Sequence, residues 1–294
     1  MRGPGVTTRA PNHGRRAMYL TYYGFQKHPF NLTADPSFLF PSPQHREAMS
    51  FLYYGIMGRK GFLAITGEVG TGKTTLCRAL LSQLDDRVKT AFILNSNLTE
   101  FQLIHAVIED FGIPISGNSR INLMRALNAF LIAQVREGNN AVLIIDEAQN
   151  LSAGQLEQVR MLSNLETAEE KLIQIILVGQ PELRKKLDSK SLLQLRQRIS
   201  IRFHLSPLQR GEIASYIAHR LKVAGGEGRV GFDRKSVELV YEYSGGVPRL
   251  INMLCDKALL AGFVLGTRSI TAKIVRASIR EIEGKPELTA AATV

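Results

Sequence analysis

Eight consecutive residues, Gly67-Glu68-Val69-Gly70-Thr71-Gly72-Lys73-Thr74, fit the spacing G-x-x-x-x-G-K-S/T in full. The chemistry served by such a run is anion binding. Glycines let the backbone wrap an anion with no Cβ in the way. Successive N–H groups and the N-terminus of a following helix then point at phosphate oxygens. Lys73 adds a cation beside the β and γ phosphates, and the Thr74 hydroxyl is placed to ligate Mg²⁺. A magnesium-bound nucleoside triphosphate is the expected ligand.

A site of this kind needs a carboxylate near the metal, at the end of a neighbouring buried strand. The run Ala141-Val142-Leu143-Ile144-Ile145-Asp146-Glu147 supplies it. Asp146 is expected to hold Mg²⁺, directly or through water, and Glu147 to orient and deprotonate the attacking water. Such an acidic pair can also cap a following helix. The glycine-rich loop earlier in the chain favours the metal reading.

These side chains need a scaffold of alternating strands and helices. Apolar runs predict strands at Gly61–Thr66, Thr90–Leu94, Ala141–Ile145, Leu172–Val178 and Ile199–Leu205. Helical periodicity predicts helices at Pro43–Gly58, Lys73–Leu84, Phe101–Phe111, Ile121–Arg136, Leu156–Leu165 and Leu192–Arg198. The alternation implies βαβ units and a parallel sheet, an α/β sandwich. After Pro207 the pattern turns wholly helical, at Gly211–Val223, Lys235–Tyr243, Pro248–Leu265 and Thr271–Ile282, with no strand expected. The domain reading is a flexible basic arm over 1–17, an α/β domain over 18–206 that includes an aromatic, irregular segment from Tyr19 to Phe40, an all-α domain over 207–284 and a tail over 285–294. Tyr22, Tyr23, Phe25 and Phe30 are expected to pack along the edge of the nucleotide-base pocket rather than to stack on nucleic-acid bases.

Composition narrows the class. Hydrophobic residues are 45% and charged residues 21% of 294, enough for a sizeable core and against wholesale disorder. Two cysteines, Cys77 and Cys255, exclude a disulfide scaffold. The six histidines show no metal-ligand spacing. The longest apolar candidate, Ala258 to Leu265, is too short to span a bilayer, and no secretory signal is read at the start. A cytoplasmic location is expected, with any membrane association made through a partner. The net charge is +11, with an excess between Lys171 and Leu205 and an arginine-rich start. That balance suits nucleic acid, acidic lipid or nucleotide phosphates equally.

With a helical second domain, Gly67–Thr75 and Leu143–Glu147 resemble the AAA+ ATPase superfamily, and within it the ExeA (GspA) type of general secretion pathways. The resemblance runs from Met18 to Glu283. It rests on His28-Pro29-Phe30, Asp35-Pro36-Ser37-Phe38-Leu39, Gly67 to Leu76, Asp146-Glu147-Ala148-Gln149, Leu177-Val178-Gly179-Gln180-Pro181-Glu182-Leu183 and Gly245-Gly246-Val247-Pro248-Arg249. It implies ATP hydrolysis on an AAA+ core with a helical lid, and it adds Thr75 to the nucleotide contacts. By the same resemblance Gln180 is the sensor of the γ-phosphate or the water, where many relatives have Asn. Arg249 is the lid arginine that reaches the γ-phosphate, and Asn95 a polar restraint on Glu147. Arg198 is an arginine finger for the adjacent subunit, with Arg196 and Arg202 as alternatives. A finger given in trans implies a homo-oligomer, a ring or a filament. The resemblance further implies a partner in a secretion, pilus or exopolysaccharide-export system of the cell envelope. The rival expectation, from similar ATPases, is a regulator of transposition that forms filaments on DNA.

Overall fold

The computed structural model describes residues 19–94, 98–115, 117, 119–166 and 170–285. Within them the chain divides into two compact units, residues 34–207 and residues 19–33 with 208–285. Asn95 and the arm over 1–17 lie outside the described residues, as does the tail beyond Lys285.

The first unit is a five-stranded sheet between two layers of helices. Its strands are β1 (Phe62–Gly67), β2 (Val88–Ile93), β3 (Asn140–Ile145), β4 (Gln174–Gly179) and β5 (Ile199–Leu205), all parallel, in the order β2-β3-β4-β1-β5. The three inner strands are buried along their whole length, which is why they read as unbroken apolar runs. Alternate residues serve opposite faces. Leu63, Ile65, Val142, Ile144, Ile176 and Val178 pack toward α1 (Pro43–Met57) and α2 (Lys73–Leu81). Phe62, Leu143, Ile145, Ile175 and Leu177 pack toward α3 (Glu100–Asp110), α4 (Arg120–Arg136) and α5 (Ala153–Leu162).

Local chemistry sets where the helices start. Thr99 with Gln102, and Ser152 with Gln155, form reciprocal capping boxes at α3 and α5. Ser42 caps α1 ahead of Pro43, and Ser119 caps α4. At the β2 edge the Phe92 N–H donates to Asp110 Oδ2 at 2.5 Å, so one exposed ladder donor is satisfied by a side chain. One helix was not expected from the periodicity. It is α6 (Pro181–Leu187), opened by Pro181 at its first position and too short to show a period. A six-residue helix, α7 (Leu193–Arg198), leads into β5.

The second unit holds α8 (Ile213–Val223), α9 (Arg234–Ser244), α10 (Pro248–Val264) and α11 (Ala272–Ile282). Two corrections arise here. The expectation of no strand fails, because β6 (Gly231–Phe232) pairs in parallel with β7 (Ser269–Ile270), a two-residue ladder below the reach of any periodicity. The aromatic segment expected in the α/β domain also packs elsewhere. Residues 19–33, helical at 19–23, fold into the helical unit. Three arginines hold them there through main-chain carbonyls. Arg220 donates to Pro29 and Asn31 (2.6 and 2.9 Å), Arg229 to Gly24 (2.7 Å) and Arg268 to Tyr22 (3.1 Å). Tyr23 and Phe30 are buried in this unit, Phe30 edge-on to Phe232 and Tyr23 donating to the carbonyls of Leu259 and Thr267. These rings therefore serve the core of the helical unit.

Candidate nucleotide site of the sheet unit

The glycine-rich loop joins β1 to α2, and each of its glycines has its own reason. A Cβ on Gly67 would lie 2.4 Å from the Leu205 carbonyl oxygen on β5, so strand packing excludes a side chain there. Gly70 and Gly72 instead adopt left-handed backbone, with φ of 82° and 97°. Thr71 closes the loop from its hydroxyl to the Glu68 carbonyl at 2.9 Å. No side chain caps α2 at Gly72, so the first N–H groups of the helix are left to a ligand. Glu68 and Val69 form the exposed rim, while Thr75 is half-buried on the first turn of α2.

Lys73 is buried at 6% exposure, and its ammonium donates to the Gly67 and Glu68 carbonyls at 2.7 and 2.9 Å. Burial lowers its pKa, opposed by the negative charges of Glu147, Asp146 and Glu68. The cation thus sits inside the loop, where phosphate oxygens would replace main-chain carbonyls as its partners.

The acidic strand tip meets this loop. Thr74 Oγ1 donates to Asp146 Oδ2 at 2.5 Å, although 72 positions and the β4 strand separate the two in sequence and sheet. Asp146 is almost fully buried and also accepts the Glu147 N–H at 2.8 Å. Burial raises its carboxyl pKa, while the Thr74 and Glu147 hydrogen bonds pull it back. A hydroxyl and a carboxylate in contact, both hard oxygen donors beside a phosphate-type loop, fit Mg²⁺. Among the described residues, no group of three or more His, Cys, Asp or Glu side chains forms an all-protein metal cage.

Glu147 has a left-handed backbone, φ 51°, which turns it sharply off the end of β3. Its Oε2 accepts from the side-chain amides of Gln149 and Gln180, the latter at 3.1 Å. Gln180 stands at the end of β4 as the N-cap residue of α6. The structure therefore brings Gly67–Thr75, Asp146, Glu147 and Gln180 to one end of the sheet, at the adjacent tips of β1, β4 and β3.

Within the sheet unit, Arg196, Arg198 and Arg202 have partners other than this cluster. Arg198 is half-buried and donates to Ser163 Oγ at 2.8 Å, at the end of α5. Arg196 and Arg202 both lie near Asp188, at 3.4 and 3.9 Å. Arg249 belongs to the helical unit and is exposed on the first turn of α10. The turn before it is built by two left-handed glycines, Gly245 closing α9 and Gly246 seated against Leu208, followed by Pro248 at the first helical position. Sequence reasoning assigned Gln149 no role. It is the last residue of the run Asp146-Glu147-Ala148-Gln149, but its partners Glu147 and Gln180 lie two and 31 positions away, and the run alone does not show that it joins them.

The strand order, the glycine-rich loop after β1 and the acidic tip of β3 define an AAA-type P-loop fold, a nucleotide-binding architecture. Residues 56–187 match the AAA domain family. The chain is 41% identical over 268 residues to General secretion pathway protein A of Aeromonas hydrophila, covering 91% of this chain and 49% of that protein. It spans about half the length of that curated relative, and the likeness read from the sequence motifs is borne out. Among solved structures, the ORC2 protein of Aeropyrum pernix superposes with a TM-score of 0.67 at 20% identity, covering 87% of this chain and 72% of that one. Drosophila ORC bound to DNA gives 0.68 at 17% identity, covering 96% and 71%. At these identities the two structures share the fold. No helix among the described residues is long and apolar enough to cross a membrane.

Proposed function

We propose that this chain hydrolyses ATP to ADP and phosphate and uses the cycle to remodel or assemble a protein complex of the bacterial cell envelope. The observation that supports the chemistry best is the 2.5 Å contact between Thr74 and Asp146 beneath a glycine-lined loop. In this reading the loop N–H groups and Lys73 hold the β and γ phosphates. Thr74 and Asp146 hold Mg²⁺, which supplies neutralisation of phosphate charge when bound. Glu147 takes a proton from water as that water attacks the γ-phosphorus, and the bond to the β-phosphate oxygen breaks. Gln180 positions the water or the γ-phosphate, and Arg249 adds a guanidinium directed at phosphate. Arg198 is directed at the nucleotide of an adjacent subunit, which makes a ring or filament the working form.

The envelope role rests on the 41% identity to General secretion pathway protein A. The DNA-filament reading has less support. Within the basic stretch between Lys171 and Leu205, Lys171 pairs with Glu166 and Lys186 donates to the Gln149 and Leu151 carbonyls, so these two cations are engaged within the chain.

The test is phosphate release by the wild type and Lys73→Ala with Mg·ATP, repeated with duplex DNA across a salt series. Expected are wild-type turnover, loss of nucleotide binding in the variant and no response to DNA. Tight ATP binding by Lys73→Ala contradicts the loop assignment. Strong stimulation by DNA that fades steeply with salt transfers the function to the DNA reading. A chromosomal Lys73→Ala allele should block an envelope export process, and unaltered export refutes the cellular role.

A further inference from the structure

We infer that Gln149 is a positioning residue for the hydrolytic carboxylate, acting through Glu147; this rests on the ATPase reading above. Its amide is used at both ends. Nε2 donates to Glu147 Oε2, and Oε1 accepts the Gln180 main-chain N–H at 3.0 Å. Gln180 adds its own side-chain amide to the same Glu147 oxygen at 3.1 Å. Glu147 is thus bound to the tip of β4 by a closed loop of three hydrogen bonds, and two of the three are made by Gln149.

The surroundings keep Gln149 in this role. Its residue lies in the single 3₁₀ turn Ala148–Asn150 that follows the left-handed Glu147. Lys186 of α6 donates to the Gln149 and Leu151 carbonyls at 2.5 and 2.6 Å, which fixes the main chain of the turn from below. Space for the side chain is left by Gly179. Its φ is not in the left-handed region, so backbone freedom does not require glycine there. A Cβ at that position would lie 2.7 Å from Gln149 Oε1 and 2.8 Å from Leu183 Cδ2. A glycine on a buried strand is otherwise unfavourable, and here it makes room for the amide.

The physical consequence is orientation. A glutamate has three side-chain torsions, and a water-activating carboxylate must hold its plane within hydrogen-bond reach of the attacking water. Two amide donors on one oxygen fix that plane relative to β4, the strand between the metal-binding tip and the phosphate loop. Gln149 touches neither phosphate nor metal in this arrangement, so its loss should alter turnover and leave nucleotide affinity in place.

The experiment measures kcat and the dissociation constant for a fluorescent ATP analogue with Mg²⁺ in Gln149→Met, Gln149→Glu and Gly179→Ala. Gln149→Glu keeps the length and the acceptor for the Gln180 N–H, but it replaces the donor to Glu147 with a second carboxylate that repels it, whereas Gln149→Met removes the donor without adding charge. Expected is a fall in kcat of about tenfold to a hundredfold in both Gln149 variants, the range for a misplaced catalytic group, with nucleotide affinity within about threefold. Gly179→Ala should reproduce the kcat loss by displacing the amide. Turnover within about twofold of wild type in Gln149→Glu overturns the inference, since the tie to β4 would then suffice. Equal losses of affinity and kcat overturn it too, as a structural role. If Gln149→Met does not fold, Gln149→Glu and Gly179→Ala decide together, and the inference fails if either keeps wild-type turnover. Wild-type protein that binds ATP without turning it over refutes the ATPase reading itself, a result distinguishable from normal wild-type turnover with unaffected variants.

Discussion

Glu147→Gln separates the chemistry of the site from its architecture. Glutamine has the same length, and its carbonyl oxygen can accept the two amides that Gln149 and Gln180 now direct at Glu147 Oε2. The left-handed backbone costs the same for either residue, because both branch beyond Cβ. Two charge-assisted hydrogen bonds become neutral ones, a loss of about 1 kcal/mol each before solvent screening. Removal of a negative charge that disfavours ionised Asp146 offsets part of this, and removal of one that supports protonated Lys73 adds a little back. The net change in stability should be within about 2 kcal/mol, a few degrees in melting temperature. The rate should move much further. General-base assistance is worth about 10² to 10⁴-fold, about 2.7 to 5.5 kcal/mol of activation free energy. Phosphate release at saturating Mg·ATP gives the rate, fluorescence titration gives the affinity, and thermal unfolding gives the stability. Turnover within about threefold of wild type would remove Glu147 from the chemistry. A loss of ATP affinity as large as the loss of rate would mean that the residue shapes the site instead.

Two further outcomes test the helical unit. Gly245 and Gly246 are both left-handed, yet a Cβ on Gly245 meets nothing while one on Gly246 would lie 1.9 Å from the Leu208 carbonyl oxygen. Gly245→Ala should cost about 1 kcal/mol of conformational strain, and Gly246→Ala clearly more, with loss of the Leu208–Gly246 main-chain hydrogen bond; equal melting shifts would refute the packing argument. Burial pushes the Tyr23 hydroxyl from 10.0 up to about 12, with the Tyr22 hydroxyl also raising it and Arg268 opposing. The unfolded chain therefore ionises Tyr23 first, and this group's contribution to stability falls as pH rises from about 10 to about 12. Tyr23→Phe should flatten that alkaline loss in a urea-unfolding series, and an unchanged pH slope would refute it.

Much of the sheet unit was legible because its signals are local. Buried parallel strands must be apolar on both faces, so Ala141–Ile145 stood out, and the glycine-rich loop carries its whole motif in adjacent residues. The change to mainly helical structure after Pro207 was also readable, since the period changes there. The membership of residues 19–33 was not. Their partners Arg220, Arg229 and Arg268 lie some 200 positions on and act through main-chain carbonyls, which are the same for every residue type. The β6–β7 ladder escaped because two residues have no period.

The sequence by itself determined the chemical vocabulary of this protein: a glycine-rich loop on a strand–helix junction, an acidic pair on a buried strand, and a helical second unit. Each follows from interactions between neighbours along the chain, which spacing records. Only the tertiary structure decided which groups meet. It laid β4 between β1 and β3, brought Thr74 onto Asp146, and closed Gln149 and Gln180 on Glu147. Strand order is fixed by packing both faces of the sheet at once, and no local pattern encodes a contact whose two halves are separated by a whole helix layer.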